Sequence, residues 1–283
     1  MKYKKFLVVA SKLDKAGINM TTQLSQFQGI TKADGPAGGT EDFRFYLVDD
    51  EIIYTENLDV EKINNADFVI FVSKHMSSAA ESGKYQKTLS IHAPGNWRDA
   101  DYGGQPRKAC KTSALFMKQA FEQIDKNMKE YNLKDYELTM EATHHGPLIN
   151  KPCVFIEIGP TEIEWKDKRA GFVMARAITD TILNFHENEY NEIAIAIGGP
   201  HYCPNFNRIQ LKSNVAISHV IPSYSFPLTE EMVKEAIEKT DEAVDLAVLD
   251  WKGLGNAEHK KQLLEILDNL YIRYQKTGDV GKN

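Results

Sequence analysis

Short apolar runs alternate along the chain with longer segments in which apolar residues recur three or four positions apart. The short runs are rich in β-branched and aromatic residues, as strands are, whereas the longer segments have the period of a helix. The pattern predicts strands at 5–11, 43–48, 67–73, 88–93, 136–143, 153–159, 192–198, 215–221 and 243–249. It predicts helices at 14–27, 112–131, 166–186, 229–240 and 256–273.

This alternation of strands and helices is typical of an α/β protein. Several predicted strands are apolar throughout, as strands covered on both faces are. We therefore expect an α/β fold with a mostly parallel or mixed central sheet flanked by helices. A length of 283 residues is compatible with two domains. Because no linker-like segment stands out, we predict a single catalytic unit over residues 1–283, with room for a subdomain in the first half.

Composition narrows the location and the class of the protein. The chain is 42% hydrophobic and 26% charged, which is ordinary for a globular protein. No apolar run reaches the roughly 18 residues that a membrane span needs, so we predict a cytoplasmic protein with no membrane partner. The net charge of −6 disfavours nonspecific adhesion to nucleic acid, yet it allows an enzyme that holds one RNA end locally.

Five of the eight histidines lie at the ends of predicted strands or shortly after them. They are His75 in "SKH", His92 in "HAPGNW", His144 and His145 in "THHGP", and His201 in "GGPHYCP". A turn needs Gly and Pro for backbone reasons, but it does not need imidazoles. Each histidine alone is explained equally well as a loop or packing residue. Loops at the carboxyl ends of parallel strands line one crevice, so together the histidines predict a shared site.

Two further features suit the chemistry of such a crevice. Glu157 interrupts the apolar run "CVFIEIG", where a carboxylate is costly to bury unless it is paired or bound to a metal. The alternative is that Glu157 lies on a solvated face of its strand. The side chain of Asn96 and nearby amides are available to stabilise an oxyanion, and a histidine can act as general base.

The chain lacks the common nucleotide and acyl-enzyme motifs. There is no G-x-x-x-x-G-K-[ST] loop, and "GLGNAE" at 253–258 has Glu258 where a dinucleotide fingerprint has its third glycine. There is no G-x-S-x-G motif either. We expect no nucleotide cofactor. The three cysteines are far apart in sequence, which argues against a zinc ribbon or a disulfide framework.

Basic residues are interleaved with aromatic ones near the "HAPGNW" segment. Such side chains can pair with phosphates and stack on bases, although solvated surface charges are the alternative. The aromatic residues are Tyr85, Trp97 and Tyr102. The predicted RNA contacts are Lys84, Lys87, Arg107 and Lys108.

Taken in order, several motifs resemble those of the archaeal and plant type of D-aminoacyl-tRNA deacylase. They are "SKH", "HAPGNW", "THHGP", "FIEIG" followed by Trp165, "GGPHY" and "DWKGL", and the resemblance runs from Phe6 to about Tyr271. The chain departs from the family pattern at Lys74, where Arg is usual, at Pro200, where Gly is usual, and at Cys203, where a small residue is usual.

This resemblance implies hydrolysis of the ester that joins a D-amino acid to the 3′ end of tRNA. It also implies a fold akin to peptidyl-tRNA hydrolases and nucleoside phosphorylases, and a zinc cofactor. Two mechanisms remain open. In one, His92, His144 or His145 is the general base, oriented by Glu157, and Asn96 helps to hold the developing charge. In the other, zinc activates water. The candidate zinc ligands are His92, His144, His145, Glu157 and His201.

The remaining expectations concern substrate recognition and alternative functions. The predicted substrate-binding residues are His75, Trp97, Gly198, Gly199, His201 and Tyr202. We expect selection of D over L esters by steric exclusion. One alternative is a metal-dependent amidohydrolase or phosphorylase-like enzyme acting on a small molecule. Another is a noncatalytic module that binds the tRNA end. Release of free amino acid from charged tRNA would distinguish deacylation from both.

Overall fold

The computed structural model describes residues 2–27, 43–56, 63–77, 83, 85–187, 190 and 192–281. Its strands in the first half are β1 (Phe6–Ser11), β2 (Arg44–Val48), β3 (Phe68–Lys74), β4 (Thr88–His92) and β5 (Glu137–Met140). The second half adds β6 (Cys153–Gly159), β7 (Glu192–Ile197), β8 (Val215–Ile221), β9 (Leu246–Leu249) and β10 (Arg273–Lys276). All the predicted strands are confirmed as strands, and β10 is additional.

The helices are α1 (Lys15–Leu24), α2 (Ala114–Glu130), α3 (Glu162–Trp165), α4 (Lys168–Asn184), α5 (Pro204–Lys212), α6 (Glu230–Glu238) and α7 (Ala257–Asn269). The five predicted helices are confirmed, while α3 and α5 were not predicted. Short polar side chains cap the first turns: Asp14 accepts from Ala16 N and Gly17 N, and Asn256 accepts from His259 N. No helix in the described ranges is both long and apolar enough to cross a membrane.

The strands form two sheets. The six-stranded sheet has the order β2-β1-β3-β6-β4-β5, and the four-stranded sheet has the order β10-β9-β7-β8. Every pairing is parallel except that of β4 with β6. The expected α/β class, with mostly parallel sheet flanked by helices, is confirmed. The finer likeness to peptidyl-tRNA hydrolases and phosphorylases stays a prediction.

One assumption behind the predicted crevice is wrong. Because β4 is antiparallel to β6 and parallel to β5, both β4 and β5 run opposite to β1, β3 and β6. Their carboxyl ends therefore do not lie at the same edge of the sheet as the carboxyl end of β3. His92 is paired with Phe155, in the interior of β6, rather than with the end of that strand.

Successive side chains of a strand point to opposite faces of the sheet, so the six-stranded sheet has a separate core cluster on each face. In β1, β3 and β6, the side chains of Val8, Ile70 and Val154 face the larger core cluster, which also contains residues of the long helices and of the second sheet. Their neighbours Phe71 and Phe155 belong to a smaller cluster on the other face of the six-stranded sheet. The candidate site lies on this second face.

Candidate active site

Strand register places the first elements of the site side by side. Glu157 of β6 is paired with Ser73 of β3 on one side and with Ser90 of β4 on the other. The hydroxyl of Ser73 donates to Glu157 Oε1 at 2.5 Å. Two residues before Glu157 in β6, Phe155 stacks on His92, with ring centroids 5.2 Å apart. Glu157 is therefore buried among partners, so the alternative that it lies on a solvated face is wrong.

The segment Glu141–His145 crosses from the first sheet to the second. Ala142 N donates to His201 O at 2.9 Å and Thr143 N donates to Val220 O at 3.0 Å, while Gly95 N donates to His145 O at 2.8 Å. These bonds hold the two adjacent histidines over His92. The ring centroids of His144 and His92 are 4.2 Å apart, and those of His144 and His201 are 4.6 Å apart.

Glu141 is the centre of the cluster, although its place in the sequence did not single it out. Its Oε1 lies 3.1 Å from His75 Nδ1, and its Oε2 lies 3.0 Å from His201 Nε2 and 3.6 Å from His144 Nε2. Its side chain is fully buried. Glu141 directly follows β5 and precedes "ATHHGP", so the only signal in the sequence was a carboxylate close to the histidine pair.

Two tyrosines complete this hydrogen-bonded network. The hydroxyl of Tyr202 lies 2.6 Å from His75 Nε2, and the hydroxyl of Tyr224 lies 3.1 Å from His201 Nδ1. Burial and the nearby Cys203 and Glu141 raise the pKa of Tyr224 to about 12, so its hydroxyl keeps its proton at neutral pH. Both imidazoles are thereby held between a glutamate and a phenol.

The carboxylates and histidines shift each other's pKa values. Burial alone would raise the pKa of Glu157, but His75 Nδ1 and His92 Nε2, each 3.7 Å from Glu157 Oε2, lower it to about 2. Burial likewise opposes ionisation of Glu141, and the charge of His75 with the contact to His201 holds its pKa well below the usual range. Burial lowers the pKa of His75, but Glu141 and Glu157 outweigh it and raise the value to about 12. The same balance raises the pKa of His92.

The adjacent histidines behave in the opposite way. Burial and the positive charge of His92 lower the pKa of His145 to about 4 and lower that of His144 well below its usual range. His144 Nδ1 lies 2.7 Å from Ala142 O, and His145 Nδ1 lies 2.6 Å from Gly146 O. A carbonyl only accepts, so each Nδ1 carries the proton and each Nε2 presents a lone pair. Both rings are neutral bases at neutral pH.

The donor atoms suit a metal ion. Ligand atoms of His92, His144 and His145 lie within 4.8 Å of one another, as do those of the triads His75, Glu141, His201 and His92, Glu141, Glu157. The buried Nε2 of His92 has no hydrogen-bond partner within the described part of the chain. An orphaned imidazole nitrogen, beside rings whose Nδ1 donates to a carbonyl, is the arrangement in which histidines ligate metals. The residues present therefore fit a metal ion.

A pocket of about 570 Å³ opens onto this cluster. Glu157 and Asp14 are among the residues that line the pocket, and Asp14 Oδ2 accepts a hydrogen bond from Lys74 N at 2.8 Å. Four of the predicted histidines line the same pocket: His75, His144, His145 and His201. His92 is fully buried behind them.

Two residues predicted for the site belong to the surrounding scaffold. The indole of Trp97 packs in the core cluster on the second sheet, where its Nε1 donates to Val220 O at 3.0 Å. The side-chain amide of Asn96 donates to Gly103 O at 2.8 Å and is nearly buried. Neither lines the pocket, so the structure speaks against the predicted substrate contact of Trp97 and the predicted oxyanion contact of Asn96.

The glycine pair after β7 also has a structural reason. Gly198 and Gly199 have φ values of +99° and +81°, and an added Cβ on either would lie 3.1 Å or less from an atom of Asp250. They do not line the pocket. By contrast, Tyr202, from the same loop, reaches the cluster through His75.

The predicted RNA-binding residues have varied positions. Lys84 lies outside the described residues. Lys87 pairs with Asp135 at 3.1 Å, and Lys108 lies 3.5 Å from Glu235 Oε2. Arg107 is exposed, with a φ of 58°. None of the three described residues lines the pocket, and their contact with RNA stays a prediction.

An α/β fold that gathers glutamates and histidines of strongly shifted pKa beside one pocket is typical of an enzyme. The family model for D-aminoacyl-tRNA deacylase matches residues 62–275. The chain belongs to this hydrolase family.

Relatives of similar length support the assignment. The chain is 34% identical over 279 residues to the D-aminoacyl-tRNA deacylase of Thermococcus onnurineus, covering 94% of this chain and 99% of the relative. It is 30% identical over 280 residues to that of Methanocaldococcus jannaschii, covering 96% and 99%. A crystal structure described as a conserved protein of unknown function aligns with a TM-score of 0.85 at 29% identity, covering 99% of this chain and 97% of that one.

Proposed function

We propose that this protein hydrolyses the ester bond between a D-amino acid and the 3′ end of tRNA, releasing the free amino acid and the tRNA. One observation carries the proposal: in a chain of this family, two neutral histidines line a pocket and contact a cluster that holds two buried glutamates, Glu141 and Glu157. Aminoacyl esters are reactive, so positioning, a base and a stabilised oxyanion suffice for rapid hydrolysis.

Several residues of the chain have separate roles in the proposed reaction. His144 or His145, neutral and open to the pocket, takes a proton from the attacking water through Nε2. The pKa of His75 is raised, so this histidine is positively charged and stabilises the negative charge that develops on the ester carbonyl oxygen. Glu141 orients the rings of His75 and His201. Asn96 has no part in this mechanism because its amide is committed to Gly103.

Zinc is the proposed cofactor. His92, His144 and His145 would hold it, with Glu157 and His201 beside them, and the orphaned Nε2 of His92 supports this choice. Bound zinc would lower the pKa of a water molecule and polarise the ester carbonyl. Because Nε2 of His144 and His145 would then be occupied as ligands, this metal-dependent mechanism is an alternative to the one in which either histidine is the base.

We also propose that the enzyme acts in chiral proofreading by excluding L-amino acids. The pocket floor is made of imidazoles whose rings pack 4.2 to 4.6 Å apart and are anchored by carbonyl oxygens, so they have little freedom to move aside. An L side chain would collide with groups that a D side chain avoids. Such exclusion works for many amino acids. The proposed site of action is the cytoplasm, where charged tRNA is used.

The test is single-turnover hydrolysis of D-tyrosyl-, L-tyrosyl- and D-aspartyl-tRNA by purified protein. We expect rapid release of D-tyrosine and D-aspartate and at least a hundredfold slower release of L-tyrosine. Equal rates for the two tyrosyl esters would refute chiral selection. Binding of charged tRNA without release of amino acid would favour the noncatalytic module, and neither binding nor release would favour an enzyme acting on a small molecule.

A further inference from the structure

Exposed hydrophobic side chains are concentrated around the mouth of the pocket. Within the described residues, ten large hydrophobic side chains are exposed. Four of them line this one pocket: Leu13, Tyr54, Met76 and Tyr102. Single exposed hydrophobic residues are ordinary, but several around one polar cavity indicate a ligand contact. The function proposed above, which places the scissile ester at the histidines, gives no role to these residues.

Tyr54 and Tyr102 come from separate segments and are held together. Tyr54 ends the 3₁₀ helix Ile52–Tyr54, and Tyr102 lies in the turn after "HAPGNW". A Cβ added to Gly103 would lie 1.8 Å from Ile53 O and 3.3 Å from Tyr54 Cδ1, so this glycine lets the two segments touch. The two rings thus project from adjoining backbone, and we call them the aromatic rim.

The aromatic rim is anchored to the histidine loop. Gly146 N, next to His145, donates to Tyr102 O at 2.9 Å. Gly104 N donates to the carboxylate of Glu56, which joins the turn to the Tyr54 segment. These contacts hold the backbones of the two tyrosines, yet Tyr54 is 50% exposed and Tyr102 is 65% exposed. Two exposed aromatic rings on hydrogen-bonded segments provide a surface for a planar ligand at low entropic cost.

The charges at the rim offset each other. Glu51, three residues before Tyr54, and Lys74 both line the pocket, and their side chains lie 3.6 Å apart. A paired lysine attracts the phosphates of a nucleic acid less than a free one does. A neutral base suits this edge of the pocket, because stacking needs only a π face.

We propose that Tyr54 and Tyr102 stack on the terminal base of the tRNA, holding the ribose that carries the ester against the histidines. This inference rests on the proposed deacylase function, because only an aminoacylated nucleotide carries a base next to its ester. The base lies at the mouth of the pocket against the aromatic rim, while the aminoacyl group points to His144 and His145. Stacking does not depend on the identity of the base, so the rim positions the substrate without reading sequence.

The experiment compares two substrates that share the ester and differ in the base: D-tyrosyl-adenosine and the D-tyrosyl ester of ribose without a base. The measured quantity is the ratio of kcat/KM for the first substrate to that for the second. We expect Tyr102→Ala and Tyr54→Ala each to lower this ratio about tenfold, as loss of one stacking partner does. Tyr102→Phe should keep the ratio, since the ring remains.

Tyr271→Ala is the matched control, because Tyr271 is 94% exposed and does not line the pocket, so the ratio should not change. An unaltered ratio in both rim alanine variants, or a ratio near one in the unmodified protein, would overturn the stacking proposal. If the unmodified protein hydrolyses neither ester and also leaves D-tyrosyl-tRNA intact, the deacylase function itself fails. The two failures are therefore distinguishable.

Discussion

At the scale of single residues, the candidate site depends on Glu141. Its two oxygens contact two different imidazoles, and burial would make an unpaired carboxylate there costly. The ion pairs explain why the chain tolerates this charge in its interior. They also explain how five histidines share a small space, because His75 is held as a cation and His144 and His145 stay neutral.

We therefore predict that Glu141→Gln lowers the deacylation rate by roughly 10 to 100-fold, the usual cost of removing a group that orients catalytic imidazoles. The amide has the size of the carboxylate but cannot accept from both rings in the same way. Rates and thermal melting should be measured together. Glu137→Gln, an exposed change four residues earlier, is the control. Equal activity in both variants would show that Glu141 only supports the fold.

At the scale of elements, the reversed strand β4 determines how His92 enters the site. A parallel β4 would have put His92 at the edge of the sheet, whereas the antiparallel register puts it beside Phe155 and under the histidine pair. Helix α5, which was not predicted, has a local reason: Pro204 occupies its first turn, where a missing N–H costs nothing.

The contact between the ends of β3 and β6 gives a prediction at this scale. A Cβ on Gly159 would lie 2.7 Å from His75 Cβ and 2.9 Å from His75 O, so Gly159→Ala must displace the histidine. We expect a loss of about 1–3 kcal/mol of unfolding free energy and at least a tenfold lower deacylation rate. Urea unfolding and single-turnover assays check both.

Gly278→Ala provides the comparison, because nothing lies within 4 Å of an added Cβ there. It should leave both the unfolding free energy and the rate close to those of the unmodified protein. A fully active, fully stable Gly159→Ala variant would contradict the tight contact with His75.

At the scale of the whole molecule, the site joins two sheets. His75, His92 and Glu157 belong to or directly follow strands of the six-stranded sheet, while His201 and Tyr202 follow β7 of the four-stranded sheet. The segment with the histidine pair bonds to both. A ligand bound by this cluster therefore stabilises the folded molecule as a whole, not one loop.

We predict that zinc raises the melting temperature of metal-stripped protein by about 5 °C when free zinc is about 100-fold above its dissociation constant. His144→Ala should abolish most of this rise and lower the bound zinc measured by equilibrium dialysis. His259→Ala removes a histidine outside the cluster and serves as the control. Equal zinc binding by all three proteins would show that the histidine cluster is not the metal site.

The sequence by itself determined the elements and the family. Local periodicity and β-branched runs are set by neighbouring residues, so strands and long helices could be predicted. The edge strand β10 could not, because "RYQK" is polar and gains its place only by pairing with β9. Only the tertiary structure decided the direction of β4, the central place of Glu141 and the burial of Trp97. Each depends on contacts between residues far apart in sequence, and such contacts leave no periodic signal along the chain.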